Sequence, residues 1–325
     1  MVDEQHDRTK TYGQWWDVPG EYTEVAVEDV RRTGVAALMA AGADRPAADF
    51  LVDEFLDKAL QGDHARGVVL LLETVSAARR GMIDLAAGIT VRTERTGTAL
   101  VAGGPRASGD LVCRYGMDLA IDKARAGGVG VVAAQGQCRI NTPYLRRAVE
   151  AGMVGIVLAQ SVPTVAPLGG REPILGNAPI GIGVPARHRP PFLLDMSLTQ
   201  SSNKGVATAA EHGLPVPPGV LLDSRGEPTT DSGEYLDAEL TARTGRICPK
   251  GSLVPLGNSH KGYALILAVG LLTTLLADAS PPWDLHFHLA ERGTSSTLLM
   301  AIDPRRCACR GPSRPRMRWT PSSTW

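Results

Sequence analysis

"AVEAGMVGIVLAQSVPTVAPLGGREPILGNAPIGIGVP", Ala148 to Pro185, carries the pattern that decides the fold. It opens on the end of a helical run, "YLRRAVEAG", closed by Gly152. "VGIVLAQ" (154–160) and "IGIGVP" (180–185) follow, short and apolar as strands are. Upstream, "GITVRT" (88–93), "TALVAGG" (98–104) and "GVGVVAA" (128–134) repeat the signal, and "LAIDKARAGG" (119–128) is a second Gly-closed helix. Residues 83–200 therefore read as a mixed α/β sheet.

Helical spacing governs the chain before this region. "VEDVRRTGVAALMAAG" and "PAADFLVDEFLDKALQG" place apolar residues three and four apart, and "GVVLLLETVSAARRG" makes a third helix ended by Gly81. Pro46 stands where a first helical turn tolerates proline. After the sheet region, residues 212–235 are rich in Pro, Gly and Asp and read as loop. "GYALILAVGLLTTLLA" (262–277) is the longest uncharged run. At 16 residues it falls short of the roughly 20 that a spanning helix needs, and it reads as a buried core helix.

The 325 residues carry 43% hydrophobic and 21% charged residues, ordinary for a globular chain with a real core. Net charge is +0, so no whole-chain basic field points to nucleic acid or membrane. The last 21 residues hold six Arg and no acid, leaving 28 basic against 34 acidic residues before them. That tail has the composition of a GC-rich gene read out of frame, or of a disordered segment. Five irregularly spaced cysteines make no disulfide framework and read as reduced thiols. With no apolar leader in "MVDEQHDRTK", the expected setting is cytoplasmic.

Two stretches, "GVGVVA" (128–133) and "GIGVPA" (181–186), fit G-x-G-x-x-A. A dinucleotide fingerprint must follow a strand and open a helix. The first is itself strand-like and the second holds Pro185, so neither supports a Rossmann fold. "HFH" (His286, His288) and "CAC" (Cys307, Cys309) lack the further ligands of a metal site. No metal is expected.

Several blocks occur in a telling order: "YGMDLAIDKARAGGVGVV", the opening stretch, "LLDMS", "LPVPPGVLLDSRGEPTTD" and "VPLGNSHKGYALILAVGLL". Together they resemble the type-2 malate/L-lactate dehydrogenase family, which includes ureidoglycolate dehydrogenase and Δ1-piperideine-2-carboxylate reductase. The resemblance spans roughly residues 25–304. It implies an α/β fold with a mixed, largely antiparallel, non-Rossmann cofactor domain and a helical domain built from the N- and C-terminal parts. The corresponding division is an arm (1–22), a helical segment (23–82), the cofactor domain (83–245), a return to the helical domain (246–304) and the basic tail (305–325). It also implies a homodimer, NAD or NADP as cofactor, and a small-molecule substrate, a 2-hydroxy or 2-oxo acid or a cyclic imino acid. No nucleic-acid or membrane partner is expected.

The resemblance also carries site residues. Asp195, Met196 and Ser197 match the family's cofactor segment, with Ser161 and Lys261 as further cofactor candidates. In "DHARGVVLLLE" the family's Ser-His pair falls on Ala65 and Arg66, and its substrate-binding Arg on Leu70. His64 lies two residues from the aligned position, about 200° round a helix. The second key imidazole, six residues before Tyr144, falls on Cys138 in "GQCRINTPY". The catalytic candidates are therefore Cys138, Arg66 and His64, with Arg139 and Arg66 expected to lower the thiol pKa if close. Two functions follow: an oxidoreductase with an altered site, or a catalytically silent family member serving as a binding or partner subunit.

Overall fold

The computed structural model describes residues 24–104, 106–244, 247–285 and 294–307. Three helices come first: α1 (Val27–Ala40), α2 (Arg45–Leu60) and α3 (Val68–Arg79). Asp44 caps α2 by accepting the Ala47 amide at 2.8 Å, one residue before the expected proline start. The sheet region runs β1 (Ile89–Glu94), β2 (Thr98–Gly103), α4 (Gly109–Gly127), β3 (Val129–Gln135), α5 (Thr142–Glu150), β4 (Val154–Ala159), β5 (Ile180–Val184) and β6 (Phe192–Met196). Then follow α6 (Asn203–Glu211), β7 (Leu221–Leu222), β8 (Pro228–Thr229), α7 (Ala238–Thr244), β9 (Ser252–Leu253), α8 (His260–Ala277), β10 (Thr297–Ile302) and α9 (Pro304–Cys307).

All five strands read from the sequence are present. With β6 and β10 they form a seven-stranded sheet ordered β1-β2-β3-β10-β4-β5-β6. Only β2 and β3 run parallel; the other pairs are antiparallel, so the sheet is mixed, largely antiparallel and non-Rossmann. The central strand is β10, from near the end of the chain. Thr297 stands opposite both Ala134 and Ala159, and Ile302 opposite Val129 and Val154. Its run "TLLMAI" was not read as a strand. The loop region at 212–235 holds the β7–β8 hairpin, which pairs with β9 in a small separate sheet.

Alternation along the strands sends side chains to two faces. On one face, Val132, Ala134, Val157 and Leu299 meet Met117 and Ala120 of α4 and Leu145 and Ala148 of α5. On the other, Ala133 and Leu298 meet Ala277 at the end of α8. The glycines of the discarded fingerprints serve this packing. A Cβ at Gly130 would lie 2.0 Å from the Ala120 carbonyl oxygen, and one at Gly181 would lie 2.9 Å from the Asn141 Cβ.

The buried reading of α8 needs correction. Gly262, Ile266, Val269, Gly270, Thr273 and Ala277 are buried, but Leu265, Leu271, Leu272, Leu275 and Leu276 are exposed. The helix is 18 residues long and, by length and composition alone, could cross a membrane; 33% of it is buried in the fold.

Because α4 lies directly on β3, Gly130→Ala must push backbone against backbone. It should lower stability by about 1–3 kcal/mol in urea unfolding. Gly127→Ala, whose Cβ meets nothing within 4 Å, should stay within about 0.5 kcal/mol of the parent.

Candidate active site

The turn between β3 and α5 is held by two aspartates from different elements. Asp110, in the first turn of α4, is 3% exposed. Its Oδ1 accepts the Arg139 backbone N–H at 3.0 Å, and its Oδ2 accepts the Arg139 Nε at 2.8 Å and an Nη. The remaining Arg139 Nη donates to Thr74 Oγ1 at 2.9 Å, and the guanidinium lies 4.8 Å from the Phe55 ring centroid. Thr74 Oγ1 in turn donates to the Leu70 carbonyl at 2.6 Å. A single side chain thus connects α2, α3 and α4 to the turn.

Asp195, on β6, closes the far side. Its Oδ2 accepts the Asn141 N–H at 2.9 Å, the Thr142 N–H at 3.0 Å and the Thr142 hydroxyl at 2.9 Å. A carboxylate from a distant strand thus caps α5 and complements the positive end of its dipole.

Cys138 lies between these anchors and is 2% exposed. Its thiol donates to Asn141 Oδ1 at 3.3 Å and receives the Thr297 hydroxyl at 3.8 Å. Its pKa is pushed well above the ordinary thiol value by hydrogen bonding with Cys113, by burial, by electrostatic coupling to Cys113 and by the charge of Asp110. The expectation that Arg139 and Arg66 lower it fails. Arg139 is spent on Asp110, and Arg66 pairs with Asp63 at 2.6 Å.

Arg66 ends a 3-10 turn, His64–Arg66, that packs against α2, α3 and α6. The backbone of His64 opens this turn; its side chain lies outside the described residues. Ser161 is buried and tied to Asn177, whose N–H donates to its Oγ at 2.7 Å. Met196 ends β6 and Ser197 follows it, with Ser197 Oγ accepting the Thr199 hydroxyl at 3.0 Å. Lys261 is exposed in the first turn of α8. Hydrogen bonds bring Cys138 to within one residue of Asp195's contacts. Among the described residues, none links Lys261 to that turn. His286, His288 and Cys309 lie outside the described residues, and no described group of His, Cys, Asp and Glu could hold a metal.

Sequence reasoning missed the acids. Glu54 is 3% exposed, and neither of its carboxyl oxygens has a hydrogen-bond partner. Burial and the charge of Asp110 drive its pKa well up, with Arg139 opposing. Its place between Leu51 and Lys58 on the buried face of α2 was the available signal. Three donors near the turn are also buried without partners: Arg66 Nε, Asn141 Nδ2 and Ser201 Oγ. They stand on segments that meet where β6 leads into α6. A separate cleft of about 390 Å³ between Asp44, Asp84 and α4 is lined by none of the sequence-assigned site residues.

Among the described residues, the mixed, largely antiparallel sheet has no phosphate-binding strand–loop–helix, which makes the fold non-Rossmann. The profile of the malate/L-lactate dehydrogenase family matches residues 25–318, and the chain belongs to that family. It is 35% identical over 277 residues to an L-sulfolactate dehydrogenase of Methanothermobacter thermautotrophicus, covering 82% of this chain and 75% of that one. A Δ1-pyrroline-2-carboxylate/Δ1-piperideine-2-carboxylate reductase of Pseudomonas aeruginosa is 32% identical over 198 residues, 59% of this chain and 55% of that one. The solved sulfolactate dehydrogenase of Methanocaldococcus jannaschii superposes with a TM-score of 0.73 at 29% identity, covering 87% of this chain and 78% of that one. By name, these relatives are dehydrogenases of sulfolactate and a reductase of two cyclic imino acids.

The raised Glu54 pKa has a defined sign. An unfolded Glu releases its proton near pH 4.3, while the folded Glu54 keeps it. Stability therefore falls as pH rises above that value, until Glu54 ionises in the fold. Glu54→Gln has no proton to lose. It should match the parent within about 1 kcal/mol below pH 4 and exceed it at pH 7. Urea midpoints across pH 3.5–7.5 read this directly; parallel slopes for the two proteins would remove the buried neutral acid.

Proposed function

We propose that this chain reduces a small cyclic imino acid with NADH or NADPH, and acts more weakly on open 2-oxo acids. The observation that carries this reading is the state of Cys138. The position that the family resemblance assigns to an imidazole holds a buried thiol that keeps its proton. Reduced nicotinamide supplies a hydride. Hydride addition to a ketone carbon leaves an alkoxide, which needs a proton from the site. A protonated imine brings that proton with it, and hydride addition yields the neutral amine directly. An imino acid therefore asks least of a site without an imidazole, and the likeness to the Pseudomonas reductase supports this reading.

The residues fit such ligands. Arg66 Nε, Asn141 Nδ2 and Ser201 Oγ are buried donors without acceptors, suited to a carboxylate or a carboxamide. Arg66 takes the substrate carboxylate in place of the family arginine, whose position holds the buried Leu70. Asp195, Met196 and Ser197 hold the nicotinamide end of the cofactor at the close of β6. The same reading carries a homodimer in the cytoplasm, as the resemblance and the reduced thiols imply.

A second reading is favoured by Leu70 and Cys138 together. Both are buried where the family pattern demands polar reactive groups, as in a silent subunit that has kept its packing. Turnover decides between the two. Consumption of NADH or NADPH should be at least about 10-fold faster with Δ1-piperideine-2-carboxylate than with pyruvate, and Arg66→Met should raise KM for the imino acid about 10-fold, worth about 1.4 kcal/mol. Cofactor binding by calorimetry, with no turnover on either class, would establish the silent subunit instead.

A further inference from the structure

The cleft of about 390 Å³ beside α4 is walled by three segments: the α1–α2 turn, the chain from Asp84 to Ile89, and the first turns of α4. At the roughly 30 Å³ that a water molecule takes up, it has room for on the order of ten non-hydrogen atoms. Part of its lining is aliphatic. Ala47 and Leu85 are buried there, and Ala107 and Leu111 are half-buried.

Charge in the cleft is unbalanced. Asp44, Asp84 and Asp118 line it against a single cation among the lining residues, Arg114. Arg114 is engaged elsewhere: an Nη donates to the Pro46 carbonyl at 2.8 Å, and the guanidinium lies 5.3 Å from the Phe50 ring centroid. Asp118 is answered by Arg147 at 2.6 Å. Asp44 and Asp84 are each held through one oxygen only. Asp44 Oδ1 accepts the Ala47 amide at 2.8 Å, and Asp84 Oδ1 accepts the Ala86 amide at 2.9 Å. Among the described residues, neither Oδ2 has a partner. The backbone thus fixes two carboxylates in place and leaves one oxygen of each unpaired.

Ser108 is the third polar group. A serine in the N-cap position ordinarily turns its Oγ onto the first amides of its helix. Ser108 stands in that position before α4, is 5% exposed, and makes no capping hydrogen bond. Its hydroxyl has no hydrogen-bond partner among the described residues, and the residue lines the cleft. A buried hydroxyl without a partner costs stability unless something brought to it supplies one.

We propose that this cleft binds a primary ammonium carried on a short aliphatic chain. Such a group has three N–H donors, and Asp44 Oδ2, Asp84 Oδ2 and Ser108 Oγ are three acceptors. An exposed ion pair alone contributes little. Burial of the hydrocarbon against Leu85 and Leu111 adds to it. A quaternary ammonium has the charge without the donors, an alcohol lacks the charge, and a divalent cation lacks the hydrocarbon. The inference stands apart from the proposed reduction, because none of the residues assigned to that site lines the cleft.

Calorimetric titration of the full chain with n-hexylamine at pH 7 tests it; an alkylammonium keeps its proton up to about pH 10. The Kd should be about 1 mM, with hexan-1-ol and hexyltrimethylammonium each at least about 10-fold weaker. Asp44→Asn and Asp84→Asn keep the oxygen that takes the backbone amide and lose the charge, so each should raise Kd about 5-fold. Ser108→Ala should raise it about 3-fold. Asp122→Asn, at an exposed acid of α4 outside the cleft, should leave it unchanged. Thermal melts of all four variants that match the parent separate lost binding from lost folding. No heat at about 10 mM amine, hexyltrimethylammonium binding as tightly as hexylamine, or a Kd indifferent to the Asp44 and Asp84 changes would overturn the inference. So would Mg²⁺ or Ca²⁺ displacing the amine through the same two aspartates. Binding in a chain without turnover sinks the proposed reaction alone; turnover without binding sinks the amine site alone.

Discussion

Asp110 and Arg139 form the pair on which the geometry of the site depends. A buried carboxylate survives only when its charge and lone pairs are answered in place. Here Asp110 receives one backbone amide and two guanidinium nitrogens from the same residue. Arg139 cannot leave without stranding that charge, so the turn carrying Cys138 cannot move independently of α4. Thr74 and Phe55 extend the constraint to α3 and α2. The helical segment and the sheet are joined through this one guanidinium as well as through their apolar contacts. Removing either partner alone is the costly change; replacing both by apolar groups of similar shape is a much milder one.

The same charges set the chemistry beside them. Asp110 lies close to Cys138, and both Asp110 and Asp195 act on Glu54, while Arg139 is already spent on Asp110. In that field Cys138 and Glu54 hold their protons: the thiol stays a thiol, and Glu54 stays neutral. At position 138 the Asp110 carboxylate favours a group that bears its proton, whereas burial favours whichever form is uncharged; for a thiol the two act together.

What could be read from the sequence follows from how local each signal is. The strands from Ile89 to Val184 announced themselves because each is a short apolar run bounded by turn residues. β10 did not: it pairs on both sides and is apolar on nearly every position, a pattern that periodicity alone does not separate from a buried helix. For α8 the apolar run was plain but its direction was not, because a helix that is apolar all round has no preferred face on paper. Only the packing of Ile266 and Val269 shows which side is left over. At the site, the family pattern located Cys138, Arg66 and Asp195, yet Asp110 and Glu54 stayed hidden. Asp110 is 29 residues from the arginine it holds, and Glu54 lies within a run of ordinary helix formers. Long-range pairing leaves no mark on local spacing.

The discarded glycine motif and the cap on α5 turn out to be one subject. β3, the turn and α5 have the strand–turn–helix order of a phosphate-binding unit, and a G-x-G begins it. In a Rossmann unit the glycines let the chain approach a pyrophosphate, and the helix amides receive it. Here Gly130 is needed for the approach of α4, and the first amides of α5 are taken by Asp195. The anion that the helix start demands is built into the protein. A second anion brought there would meet the Asp195 carboxylate and find no free amide. The start of α5 therefore offers no phosphate site.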